Sequence, residues 1–272
     1  MSKVILVTGA SKGIGFELAK KLLNEGNVVY CAARSIDKMA ELKAKGGKIL
    51  SLDCNSPQSI ELCVKNIVDE SSGVDILVNN AGFGLYGAIE NVSMEDGREQ
   101  MEVNFFAPVY LSQLLLPSMR ARGGGRIINI SSIAGKVYSP SSGWYCASKF
   151  AIEGLTDCLR LELAEFNIKA ILIEPGPIRT DWSAGAKNTL LENSKGTAYE
   201  DFGNKSFKLL SGATDGAMAS DPSAVVNAVM KAINAKNPRP RYLCGKMARL
   251  SLIAKNIMGS NLFDKVMKMQ MK

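Results

Sequence analysis

Short runs of consecutive apolar residues alternate along this chain with longer stretches whose apolar positions recur every three or four residues. The runs are KVILVTG (3–9), NVVYCAAR (27–34), GKILSLDC (47–54), VDILVNNAG (74–82), GRIINISSIAG (125–135) and IKAILIEPGP (168–177). They are continuously apolar, not alternating, as strands are when both faces of a sheet are covered. Between them, helical periodicity runs from about Ile14 to Asn24 and over 35–45, 56–70 and 102–120, and again after Tyr145. Strand–helix alternation of this kind predicts an α/β fold, and right-handed crossovers make a doubly wound parallel sheet the simplest topology.

Two helix starts carry cap signals. Ser35 precedes one helix, and Ser56-Pro57 pairs a cap with proline at the first helical position of another. Residues 181–221 are the least regular part, rich in Gly, Ser, Asn and Thr. They read as a substrate loop or lid following a strand. Pro238 and Pro240 then mark a break, dividing a 1–240 catalytic body from a 241–272 helical extension.

Composition narrows the function. The 272 residues carry a net charge of +7 and no histidine. In the extension, Arg241, Lys246, Arg249, Lys255, Lys265, Lys268 and Lys272 face a single acid, Asp264, so the body is close to neutral. A nucleic-acid protein would carry its basic face on the body. The six cysteines form no CxxC pair and read as small buried hydrophobes of a cytoplasmic protein; without histidine, no metal site is expected. No apolar run reaches the roughly 18 residues of a membrane span.

The first strand ends in VTGASKGIG, with Gly9, Gly13 and Gly15 leading into a helix. Such a turn aims free backbone N–H groups and the positive helix end at one point, where a pyrophosphate can lie close to the backbone. A dinucleotide site also needs a group at the end of the second strand to read the adenosine ribose. Arg34 stands there, Lys12 adds a second cation, and Asp37 competes from three residues on. The cations favour a 2′-phosphate, hence NADP(H) over NAD(H).

Tyr145 and Lys149 are one helical turn apart and project side by side. A nearby ammonium stabilises a phenolate, so Tyr145 is a candidate general acid/base in a chain lacking histidine. Ser132 is placed to hydrogen-bond a substrate oxygen.

Taken together, TGASKGIG (8–15), NNAG (79–82), Asn104 in EVNFF, NISS (129–132), YCASK (145–149) and PGPIRT (175–180) resemble the short-chain dehydrogenase/reductase family in its single-domain branch. The likeness covers about the first 180 residues and implies a Rossmann-like fold. It implies that Tyr145 is the proton donor in carbonyl reduction, that Ser132 holds the substrate oxygen, and that Lys149 lowers the Tyr145 pKa and binds the nicotinamide ribose. Asn104 would hold a water linking Lys149 to solvent; otherwise it is a helix-interior Asn satisfied by backbone. Asp53 would bind the adenine amino group, and Asn80, Ala81 and Gly82 would line the adenosine ribose. Ile178 and Thr180 would hold the carboxamide, and Pro175 and Gly176 would shape the turn beside the ring. Ser11, Ile14, Ser35 and Cys54 complete the implied cofactor set, with Lys136 to Trp144 at the substrate pocket. The helices from Phe105 and from Lys149 to Phe166 match the family's dimer interface, implying a homodimer or homotetramer.

The extension loosely resembles relatives acting on steroids, retinoids or acyl-dihydroxyacetone phosphate. Its basic, methionine-rich sequence is open to three readings: a helical cap over the sheet, a substrate lid, or a peripheral membrane contact. The expected activity is NADP(H)-dependent interconversion of a ketone and a secondary alcohol on an apolar, steroid- or lipid-like molecule. A 3-ketoacyl reductase and a catalytically idle NADP-sensing protein are the alternatives.

Overall fold

The structure is a computed structural model that describes residues 2–271. Seven parallel strands form one sheet in the order β3-β2-β1-β4-β5-β6-β7. They are β1 (Val4–Thr8), β2 (Val28–Ala33), β3 (Lys48–Ser51), β4 (Ile76–Asn79), β5 (Gly125–Ile130), β6 (Ile168–Pro175) and β7 (Arg241–Cys244). Successive residues of β1 explain the apolar runs. Ile5 and Val7 join a core with α1 (Gly13–Asn24) and α9 (Ser223–Asn234), while Leu6 joins the opposite core with α3 (Pro57–Ser71) and α5 (Ala107–Ala121). Both faces are therefore dry, as continuous rather than alternating apolarity requires.

Several local expectations change. The 35–45 helix is a 3₁₀ turn (Ile36–Met39) followed by the single-turn α2 (Ala40–Ala44), and the Ser35 side chain caps nothing. Ser56 does cap α3, accepting from Ser59 N at 3.2 Å. The helix expected over 102–120 is present but opens in a π-helical turn. After α4 (Met94–Met101), a π-helical segment, Glu102–Phe106, intervenes before α5. The stretch 181–221 contains two helices, α7 (Trp182–Ser194) and α8 (Glu200–Asp215), that pack against each other. Arg241 opens β7, so the expected boundary after residue 240 falls just before a strand of the sheet itself. The remaining tail forms α10 (Ala248–Gln270), bent at Gly259 where φ is 63°. Cys158 is exposed and Cys244 half-buried, unlike the other four cysteines.

Strand order reverses between β1 and β4, which leads outward to β2 on one side and β5 on the other. At such a switch point the connecting loops diverge and leave a crevice beyond the carboxyl ends of the strands.

Candidate active site

A cavity of about 530 Å³ occupies that crevice. One end is bounded by Arg34, Ser35, Lys38, Asp53 and Cys54; the other by Ser132, Tyr145, Lys149 and Thr180. The Gly-rich turn lies between them. Gly9 and Gly13 have φ of 67° and 58°, and Lys12 at the N-cap of α1 makes no side-chain capping bond. The first N–H groups of α1 are thus left without the side-chain acceptor that Ser56 gives α3 and Ser93 gives α4.

Of the residues expected at the cofactor, Ser11, Lys12, Ile14, Asn80, Ala81, Gly82, Pro175, Gly176 and Ile178 also line the cavity. Gly15 does not, and its requirement is packing: a Cβ there would lie 2.4 Å from the Gly9 carbonyl oxygen and 2.5 Å from Asn80 Nδ2. Asn80 in turn donates to the Thr8 carbonyl at 2.9 Å, tying β4 to the turn. At Gly176 a Cβ would meet the Lys246 carbonyl oxygen at 2.4 Å, so this glycine admits the tail. Asp37 does not line the cavity, whereas Lys38, which the sequence did not single out, adds a third cation beside Arg34. An uncapped helix N-terminus, two positive-φ glycines and a cationic end fit a dinucleotide carrying phosphates.

The long helix α6 (Gly143–Glu162) carries Tyr145 and Lys149 inward from its first two turns. Tyr145 is 8% exposed and Lys149 7%. Lys149 Nζ donates to the Ile130 carbonyl at 2.9 Å and lies 5.8 Å from the Tyr145 ring centre. Burial pushes the Tyr145 phenol up, and the neighbouring Ser132 hydroxyl opposes the rise. The lowering expected from Lys149 is not among the causes of this shift; burial acts on both groups. It holds Lys149 down to about 8, with the Glu153 carboxylate pulling the other way. Ser132 caps the 3₁₀ turn Ile133–Gly135, its Oγ accepting from Ala134 N at 3.1 Å, which leaves its own proton free to donate.

Asn104 sits in the π-helical segment, outside the cavity lining, and is 2% exposed. Its Oδ1 accepts from Phe83 N, while its Nδ2 donates to the Phe83 carbonyl and to Ser148 Oγ. Both amide protons are thus bonded within the protein, one of them to the Phe83 backbone. The widened turn thus carries the amide that bonds to the loop of Phe83.

Beyond Tyr145 the wall is aromatic. Trp182 stands 5.0 Å and Tyr86 6.0 Å from the Tyr145 ring, with Leu210 from α8 behind. Of the expected Lys136–Trp144 wall, Val137, Tyr138 and Ser139 line the cavity. Trp144 instead packs on Gly97, and Lys136 pairs with Glu153 at 3.1 Å. Behind Lys149, Arg241 bonds to Glu153 and Asp157 on α6 and to Glu174 on β6. This cluster was not anticipated. Its only sequence signal is that Tyr145, Lys149, Glu153 and Asp157 recur every four residues along one helix face.

Comparison with known proteins agrees with this geometry. The sequence model of the short chain dehydrogenase family matches residues 3–191. A 3-ketodihydrosphingosine reductase of Bacteroides thetaiotaomicron is 35% identical over 254 residues, covering 93% of this chain and 91% of the relative. Among solved structures, a short-chain dehydrogenase from Streptomyces avermitilis superposes with a TM-score of 0.82 at 30% identity, covering 98% of this chain and 93% of that one. An actinorhodin polyketide ketoreductase solved with NADPH gives 0.76 at 29% identity, covering 91% and 97%. The chain belongs to the short-chain dehydrogenase family of oxidoreductases.

Proposed function

We propose that the protein is an NADP(H)-dependent reductase that interconverts a ketone and a secondary alcohol on an apolar substrate. The observation that carries this reading is the convergence of Tyr145, Lys149 and Ser132 on one end of a cleft whose other end holds Arg34 and Lys38. The wall of Tyr86, Trp182 and Leu210 offers a substrate apolar contact around the reacting centre. The relative named 3-ketodihydrosphingosine reductase and the ketoreductase solved with NADPH support a ketone substrate and this cofactor.

Bound in the cleft, the nicotinamide supplies the hydride. The protein supplies the proton and holds the oxygen. Tyr145 is protonated at neutral pH as any phenol is, and burial holds the proton more firmly, so its phenol is ready to donate to a carbonyl oxygen gaining charge. Ser132 donates a hydrogen bond to that same oxygen, with its Oγ oriented by the bond it accepts from Ala134 N–H. Lys149, fixed by the Ile130 carbonyl, keeps N–H groups to return a proton toward Tyr145. The Asn104 side chain has no proton left for this path. In the oxidative direction the same groups run in reverse.

Homodimer formation is part of this reading. Phe106, Phe150, Leu161 and Phe166 are exposed apolar side chains on the π-helical segment, α6 and its following turn, where a second copy would cover them.

A panel of steroid, acyl and small ketones, followed by NADPH absorbance, tests the proposal. Tyr145→Phe should cost on the order of 10²–10⁴-fold in turnover. If no ketone is reduced, yet NADPH alters binding to a partner, the idle sensor is the correct reading.

A further inference from the structure

The outer face of α10 is built differently from its inner face. Inward, Ala248, Phe263 and Met271 are buried. Phe263 meets Tyr138 edge to face at 5.2 Å, and the Tyr138 hydroxyl donates to Asp264 at 2.7 Å. Outward, Leu250, Ile253 and Ile257 are 58%, 47% and 80% exposed, at i, i+3 and i+7, and so form one stripe. Past the bend at Gly259, Leu262 and Met269 are 50% and 70% exposed, again seven residues apart. Lys246, Arg249, Lys265 and Lys268 are exposed along the same segment. Asp264, its one acid, is the residue bonded to Tyr138.

We infer that this face docks the protein onto an anionic lipid surface. Side chains such as Leu250, Ile253 and Ile257 gain by leaving water only where an apolar phase receives them. The surrounding cations gain only where that phase carries negative charge at its boundary. A bilayer with anionic headgroups offers both at once. A second copy does not, because a two-fold contact sets this basic face against the same basic face, with Arg249, Lys265 and Lys268 on both sides and one acid already bonded to Tyr138. Nucleic acid would use the cations but leave the apolar stripe in water. No described helix is long and apolar enough to cross a membrane, so the contact lies in the interfacial plane. Tyr138 also lines the cleft, so docking holds a wall of the cleft close to the lipid.

Sedimentation of the full chain with vesicles tests this independently of any enzymatic activity. Phosphatidylcholine vesicles containing phosphatidylglycerol should carry the protein down, and pure phosphatidylcholine vesicles should not. Leu250→Ser/Ile253→Ser/Ile257→Ser should lower the partition coefficient at least tenfold, with fold checked by circular dichroism and NADPH binding. Arg249→Gln/Lys265→Gln/Lys268→Gln should lower it about fivefold per charge removed. The inference is overturned if the wild-type chain ignores anionic vesicles, or if either triple variant binds them as well as the wild type. It is equally overturned if the apolar stripe is required only for self-association, seen by light scattering without vesicles.

Discussion

Lys149 Nζ lies 2.9 Å from the Ile130 carbonyl oxygen, so the last residue of β5 holds the side chain that sits beside Tyr145. The bond fixes an ammonium in a place where burial disfavours its charge and holds its pKa near 8, against 10.5 ordinarily. The unfolded chain therefore binds more protons between those values, and this group's contribution to stability rises with pH across the window. Lys149→Met should abolish activity and yet gain stability at pH 7, with a ceiling of about 3 kcal/mol. The gain should shrink by pH 9.5. Urea denaturation of both proteins at the two pH values checks the sign.

The Gly-rich turn offers a paired test. A Cβ at Gly15 collides with the Gly9 carbonyl and the Asn80 amide, whereas one at Gly13 meets nothing closer than Thr180 at 3.9 Å. Gly13→Ala should cost only the left-handed backbone penalty, about 1–2 kcal/mol. Gly15→Ala should cost about 1–3 kcal/mol and also displace the turn, so that dinucleotide binding falls further than stability does. Calorimetric titration with NADPH beside thermal melts separates the two effects.

Arg34 and Lys38 share one end of the cleft. Losing a charge-assisted hydrogen bond costs about 1.5–3 kcal/mol, so Arg34→Ala should weaken NADPH binding roughly 10- to 100-fold. NADH binding should change little. If NADPH and NADH weaken equally, Arg34 does not read the 2′-phosphate. Fluorescence titration with both cofactors measures this.

Among the described residues, Arg241 is the sole cation bonded to Glu174, and it shares Glu153 with Lys136. Burial and the Glu153 charge raise the Glu174 pKa, with Arg241 opposing. Ionising Glu174 therefore costs stability as pH rises past its unfolded value. Arg241→Leu removes the compensating charge and should cost about 3–5 kcal/mol at pH 8. The deficit should be smaller at pH 5, where the raised pKa lets Glu174 hold a proton. Denaturant midpoints at the two pH values give the comparison.

The parts legible in the sequence are those whose cause is local. Continuous apolarity marks β1 because Ile5 and Leu6 each face a dry layer, and the 8–15 turn declares itself through glycines within a few residues of one another. Tyr145 and Lys149 are legible because helix geometry alone sets them side by side. What escaped depends on partners far along the chain. Arg241 meets Glu153 and Glu174 across 88 and 67 residues. The π-helical segment carries Asn104, which bonds to Phe83, 21 residues earlier. Helix α7 has a polar, glycine-bearing sequence and is held by Ala186 and Leu190 packing near Tyr145 and Trp182, so its composition resembles a loop.

The strand order carries a consequence for biosynthesis. A chain made from its N-terminus completes β3-β2-β1-β4, with the Gly-rich turn, before α6 exists. The nucleotide half can thus gather on the ribosome first. Glu153 and Glu174 emerge next, two acids bound for the interior, while Arg241 is still to be translated. The catalytic half waits on β7, and its closure is coupled to a strand made well after the two acids it neutralises.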